Sequence, residues 1–139
     1  MFLDTNVDER ISQWREFRNT LEECKDPFQR TLDFWLQAPT TDRYLNQHNS
    51  QGWPTPWEVL KENRYCPVAI PLMIGWTLKL TTRFTKVPVL IKISIDIKSQ
   101  RYYNLVEVED TTIDYENNRV VISSELPDTV VCQEVVELS

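Results

Sequence analysis

One stretch decides how this chain folds: Pro54-Thr-Pro-Trp-Glu-Val-Leu-Lys-Glu-Asn-Arg-Tyr-Cys-Pro-Val-Ala-Ile-Pro-Leu-Met-Ile-Gly-Trp-Thr-Leu78. Its first part predicts a short helix that begins with a capping box. The Thr55 hydroxyl accepts a hydrogen bond from the backbone N–H of Glu58, and the Glu58 carboxylate accepts one from the N–H of Thr55. Pro56 suits the first helical position. We expect this helix to end near Asn63 and Arg64.

The second part of the stretch predicts a buried central helix that follows Cys66. Its residues are apolar nearly all round. Pro71 fits in or just after the first turn, which places the regular helix from about residue 68 onward. Cys66 then lies at a helix N-terminus, where unpaired N–H groups and the helix dipole favour a reactive thiolate. The alternative is a small side chain that only fills space in the core, as free cysteines often do.

Composition excludes several functional classes. The chain has 139 residues, enough for a single domain, and its formal net charge of −6 with no consecutive basic residues argues against a nucleic-acid partner. Two glycines are too few for a glycine-rich phosphate loop. One histidine and three scattered cysteines do not supply the usual spacing of zinc ligands. We therefore predict no metal and no cofactor.

The cysteines and the apolar runs indicate where the chain folds. Three widely spaced cysteines, without a Cys-x-x-Cys pair, argue against a disulfide framework. The first residues lack the apolar run of a signal peptide, and no run approaches the length that spans a bilayer. We expect a protein that folds in a reducing cytoplasm and has no membrane partner.

The remaining N-terminal half is predicted to be helical. Apolar residues at three- and four-residue spacing indicate an amphipathic helix from Asp8 to about Lys25. A second helix is predicted to start at Asp26 and Pro27 and to stop before Pro39. Residues 38–54 are polar and are predicted to form an ordered loop with a helical turn at 41–47, in which the lone His48 lies.

Residues after about 83 change to a period of two, which is typical of strands. The run Val87 to Lys98 alternates cleanly, with Val89, Ile91, Ile93, Ile95 and Ile97 on one face. Further strands are predicted at 102–109, 112–115, 119–123 and 129–138. We therefore predict one α+β domain (1–139), with a helical part (1–82) packed on an antiparallel sheet of four or five strands (83–139).

The order of these features resembles the transglutaminase-like branch of the papain-type fold. In that family a helix-opening cysteine is followed by a strand beginning His-x-Trp-x-Glu-Val and then by a strand with an aspartate, and this chain has Cys66, Tyr103-Asn-Leu-Val-Glu-Val108 and Asp114. The resemblance implies that Cys66 is the nucleophile position, Tyr103 the base position and Asp114 the orienting position. It extends over about residues 55–115.

Departures from the family pattern imply a degenerate site. A phenol with a reference pKa of about 10 is not a base at neutral pH, and no histidine follows Cys66. Cys66, Tyr103 and Asp114 are then vestigial, and His48 is a replacement base only if the upstream loop folds back onto Cys66. A live cysteine acyl-transferase or hydrolase, with Cys66 as nucleophile, is the alternative.

Asp96-Ile97-Lys98 supports a different enzyme hypothesis. This tripeptide has the form of a magnesium-dependent nuclease strand, with Glu58 as an additional carboxylate. The same residues suit any solvated strand face, and the acidic net charge disfavours a nucleic-acid substrate.

Two aromatic and proline-rich passages are similar in style to small proteins of tailed bacteriophages. They are Asp26-Pro-Phe with Phe34-Trp35 and Ala38-Pro39, and Trp53-Pro-Thr-Pro-Trp57-Glu58 with Tyr65-Cys66. This resemblance implies a non-enzymatic structural or assembly protein of the virion neck, tail or baseplate, made in the host cytoplasm. Its partners would be other phage structural proteins or further copies of itself, and the strand at 129–138 is a candidate exposed edge for such contacts.

Overall fold

The computed structural model describes residue 2 and residues 5–139. Within them four helices precede five strands, which confirms the predicted α+β class. The helices are α1 (Val7–Thr20), α2 (Pro27–Trp35), α3 (Pro56–Glu62) and α4 (Ala69–Lys79). The strands are β1 (Val89–Asp96), β2 (Arg101–Val108), β3 (Thr111–Asp114), β4 (Arg119–Ile122) and β5 (Val130–Leu138).

The predicted start of α3 is confirmed in detail. The Thr55 hydroxyl accepts from the Glu58 N–H at 3.2 Å, and the Glu58 carboxylate accepts from the Thr55 N–H at 3.3 Å. The helix ends at Glu62 and is capped by Asn63, whose φ of 52° is the left-handed conformation typical of a C-terminal cap. The buried Arg10 of α1 also donates to the carbonyl oxygens of Leu60 and Lys61 near this end.

Two local predictions are wrong. The first helix ends at Thr20, five residues before Lys25, because a turn follows and the Glu22 carboxylate leaves the helix to accept from the N–H groups of Thr82 and Arg83. In the loop, the helical turn expected at 41–47 is absent, and a short 3-10 turn forms at Ser50–Gly52.

The sheet is antiparallel, with the strand order β4-β3-β2-β1-β5. We call the side that packs against the helices the helix face and the other side the open face. Directly opposite residues share a face in antiparallel strands, so the cross-strand row Val136, Ile91, Val106 and Ile113 lies on the helix face, where all four contribute to the core. The predicted apolar face of β1 is confirmed up to Ile93, but the strand ends at Asp96 and Ile97 is 54 % exposed.

A crossing segment, residues 123–129, carries the chain over the open face from β4 at one edge to β5 at the other. At its start the Ser123 N–H donates to the Asp110 carbonyl at 2.7 Å, and the Ser123 and Thr112 hydroxyls lie 2.8 Å apart. At its end the Thr129 carbonyl accepts from the Ile97 N–H at 2.9 Å. The segment therefore covers part of a face that would otherwise be solvated.

One threonine on α4 connects three helices. The Thr77 hydroxyl accepts from the indole N–H of Trp14 on α1 and from that of Trp35 on α2, both at 2.9 Å, and donates to the Met73 carbonyl at 2.5 Å. All three side chains are fully buried. This use of one donor and two acceptor positions saturates the hydroxyl.

Gly75 allows α4 to approach the sheet closely. A Cβ atom at this position would lie 2.7 Å from the Leu138 side chain and 3.1 Å from that of Ile91. The absence of a side chain therefore sets the distance between the helix and the β1–β5 end of the sheet.

We expect Thr77→Val to destabilise the fold by about 2–6 kcal/mol, because two buried indole N–H groups lose their acceptor at about 1–3 kcal/mol each. Urea denaturation measures the change, and Thr77→Ser, which keeps the hydroxyl, restores most of it. Thr31→Val is the matched control, since the buried Thr31 hydroxyl donates only to the Pro27 carbonyl. Equal losses in Thr77→Val and Thr31→Val would contradict a special role for Thr77.

Candidate functional site

Cys66 lies in the core and is fully buried. The helix that follows begins at Ala69, and the Cys66 carbonyl accepts from the Ile70 N–H at 3.1 Å. The prediction of a cysteine just before the apolar helix is thus confirmed. With no exposed surface, however, the side chain occupies the place of a small apolar residue, and a substrate has no route to its sulfur.

Tyr44 lies near Cys66 but cannot act as its base. Burial raises the pKa of Tyr44 to about 12, and the nearby Cys66 adds to this effect. The Tyr44 hydroxyl donates to the Arg64 carbonyl at 2.6 Å, and the Arg64 guanidinium lies 4.7 Å from the centre of the Tyr44 ring. Tyr44 therefore stays a neutral phenol that fixes the loop to the chain just before Cys66.

Tyr103 and Asp114 both belong to the open face. Tyr103 is directly opposite Ser94 on β1. This pair is next to the pair Ile93 and Asn104, which lies on the helix face. Asp114 is likewise one residue out of phase with Ile113, which lies in the core. Because successive residues of a strand point to opposite faces, the sheet separates both side chains from Cys66.

The Asp114 carboxylate organises the turn between β3 and β4. It accepts from the Asn117 N–H at 3.2 Å, from the Asn117 amide at 2.8 Å and from Arg119 Nε at 3.0 Å. These bonds account for the burial of a charged group. No hydrogen bond or ion pair in the described residues joins any two of Cys66, Tyr103 and Asp114, so the structure does not assemble the constellation that the resemblance implies.

His48 does not replace the missing base. Its ring packs edge-on against Tyr102 with 5.4 Å between the ring centres, and its Nε2 lies 3.3 Å from the Gln47 amide. His48 is exposed, and no hydrogen bond joins it to Cys66 in the described part of the chain. The loop thus brings His48 to the Tyr102 end of β2, where its ring contacts Tyr102.

The nuclease hypothesis also lacks a site. The Asp96 carboxylate accepts from the N–H groups of Lys98 and Ser99, and the bond from Lys98 lowers its pKa most. Glu58 is engaged in the capping box. Across residue 2 and residues 5–139, no group of three or more His, Cys, Asp or Glu side chains is placed to hold a metal ion.

Two of the cavities formed by the described residues are notable, but none of Cys66, Tyr103 and Asp114 lines either of them. One, of about 400 Å³, has an apolar lining that includes Phe28, Phe84, Val87 and Val120. The other, of about 490 Å³, lies between the crossing segment and the open face, where Lys92 and Glu107 form an ion pair at 3.0 Å. Neither includes Cys66.

The free edge of β5 is a long and partly exposed apolar strand surface. The strand is nine residues long and, within residue 2 and residues 5–139, pairs only with β1, so its other edge has no neighbour in the described sheet. Val131 is 43 % exposed and Val135 is 51 % exposed. Gln133 is an extra residue in β5 and forms a β-bulge that shifts the register. As a result, Val131 lies on the helix face opposite Ile95, and Val135 lies on the open face opposite Lys92.

The exposed surface continues from this edge onto the sheet. Tyr102, Ile95 and Val131 form a cross-strand row at the end of the helix face, and Tyr102 is 40 % exposed. Such a contiguous exposed apolar surface is typical of a protein-interaction site. The sequence predicted the edge strand but not this row, because the row depends on the pairing register.

No protein-family model matches this chain, and no curated protein matches it either. The resemblances to transglutaminase-like and tailed-phage proteins therefore stay predictions. Over the described residues, no helix is both long and apolar enough to cross a membrane.

We expect Cys66 to resist alkylation in the folded protein, because its side chain is fully buried. With Cys24 and Cys132 replaced by serine, iodoacetamide should modify Cys66 only as fast as the chain unfolds. A chain that retains only the exposed Cys132 is the control and should react at the rate of a free thiol. Fast modification of Cys66 under native conditions, which urea does not accelerate, would restore the enzyme hypothesis.

Proposed function

We propose that this chain is a non-enzymatic structural or assembly protein that joins a partner chain through the free edge of β5. In line with the sequence resemblance, we further propose that it acts in the virion of a tailed phage, in the neck, tail or baseplate. One observation carries the proposal: a nine-residue strand with an unpaired edge has exposed valines on both of its faces.

An unpaired edge presents backbone N–H and C=O groups to any extended segment that approaches it. Main-chain hydrogen bonds then give affinity, and alternate side chains give specificity. Natural proteins commonly protect such edges with short strands, prolines, bulges or charged residues, especially lysine. β5 is long and contains neither proline nor lysine, although the bulge at Gln133 interrupts it once and Glu134 and Glu137 are charged.

The alternative activity, acyl transfer or hydrolysis by Cys66, requires a base within hydrogen-bond reach. His48 contacts Tyr102 and Gln47, while Tyr103 and Asp114 lie beyond the sheet. These positions support assembly over catalysis.

The test uses variants that block the edge and leave the fold intact. Gln133→Pro removes a backbone donor at the bulge, where β1 has no paired residue. Val131→Lys places a charge on an exposed edge position. We expect both chains to keep the circular dichroism and melting temperature of the wild type, because neither side chain is in the core. Gln133→Ala is the control for the proline variant.

Tagged chains are added to a clarified extract of the cells that naturally produce the protein, and their size is measured by gel filtration. We expect the wild type, Gln133→Ala and Cys66→Ala to enter a larger complex and the two edge variants to remain at 16.5 kDa. Complex formation by folded edge variants would contradict docking through β5. Loss of the complex in Cys66→Ala alone would instead favour a role for the thiol.

A further inference from the structure

The free edge of β5 lies in a part of the chain that has acidic but no basic residues. Residues 120–139 contain Glu125, Asp128, Glu134 and Glu137 but no lysine or arginine. The first two lie on the crossing segment and the last two on β5. No ion pair reaches any of these four carboxylates within the described residues. Their charges are therefore not neutralised by the chain itself.

Two of these carboxylates flank a pair of valines on the strand. Glu134, Val135, Val136 and Glu137 are consecutive, and the register places Glu134 and Val136 on the helix face and Val135 and Glu137 on the open face. Each face of β5 thus has one carboxylate and one valine, of which Val135 is exposed and Val136 packs against the core. A segment that pairs with β5 in antiparallel fashion meets the order acidic, apolar, apolar, acidic.

From this order we infer that the partner of β5 is an extended segment with the complementary order basic, apolar, apolar, basic. This inference rests on the proposed function, because it names the chemistry of the partner at the same edge. Lysine or arginine opposite Glu134 and Glu137 forms cross-strand pairs of opposite charge, and apolar residues opposite Val135 and Val136 extend the two apolar surfaces.

The same charges disfavour a second copy of this chain as the partner at β5. Pairing of β5 with β5 brings two strands together that have only acidic charges, and each copy has a net charge of −6. Like charges across a strand pair are destabilising. A basic segment gains from both the local carboxylates and the net charge of the protein.

The experiment measures binding of a synthetic peptide, acetyl-Ser-Thr-Lys-Val-Val-Lys-Thr-Ser-amide, by NMR titration of the wild-type chain. We expect amide shifts on β5, with binding that weakens as salt is added. A peptide with glutamate in place of both lysines should not bind. Two further peptides test strand pairing. One is N-methylated at the odd-numbered backbone nitrogens and the other at the even-numbered ones. Because a strand pairs through only one of these two sets of N–H groups, only one of the two peptides should lose binding.

The matched variants separate local charge from net charge. Glu134→Gln with Glu137→Gln should weaken binding of the lysine peptide by about fivefold, the effect of losing two exposed charge pairs. Glu16→Gln with Glu23→Gln makes the same change in net charge at exposed positions away from β5 and should leave binding nearly unchanged.

Each other outcome overturns the inference. Equal binding of the glutamate peptide, or equal losses in the two double variants, would show that the edge does not select basic partners. Shifts away from β5, or binding by both N-methylated peptides, would indicate electrostatic adsorption. Self-association of the chain that Val131→Lys abolishes would identify a second copy as the partner. If no peptide binds but Gln133→Pro and Val131→Lys still fail to enter the larger complex, docking through β5 is supported and only the inferred basic character of the partner is wrong.

Discussion

The hydroxyl of Thr77 is the interaction on which the helical layer depends. A buried indole N–H must find an acceptor, and Trp14 and Trp35 find the same one. The rotation of α1 and α2 about their axes is thereby fixed relative to α4. Gly75 lies two residues earlier, about 200° away around the helix, and contacts the sheet. One short segment of α4 therefore positions the helices on one side and the strands on the other.

The sheet divides the molecule into two chemical environments. Its helix face forms the core with Cys66, and its open face contains Asp114 with its turn and the Lys92–Glu107 ion pair. Polar groups that resemble a catalytic set in sequence order consequently serve separate structural tasks. Among the described residues, the exposed apolar surface of the sheet includes the edge of β5 and the row Tyr102, Ile95 and Val131, in which Tyr102 also contacts His48.

Much of the fold is predictable because its determinants are local. The Thr55–Glu58 capping box and the alternation from Val89 to Ile93 need no long-range information. The side of the sheet on which Tyr103 lies is not predictable in this way. It depends on the register, in which Asp96 pairs with Arg101 across a turn, and a shift of one residue would move every β2 side chain to the other face. The Thr77 hydrogen bonds and the path of residues 123–129 join distant parts of the chain and have no local signature.

The crossing segment also affects the order in which the sheet can form. β1 to β4 are joined in sequence by short turns, so they can pair early as a meander. β5 reaches β1 only after the crossing, and their pairs join residues as far apart as Val89 and Leu138. Such a late contact closes a long loop at an entropic cost. The β1 edge of the nascent meander therefore stays open until the chain has crossed the sheet, and during that time it is exposed to aggregation.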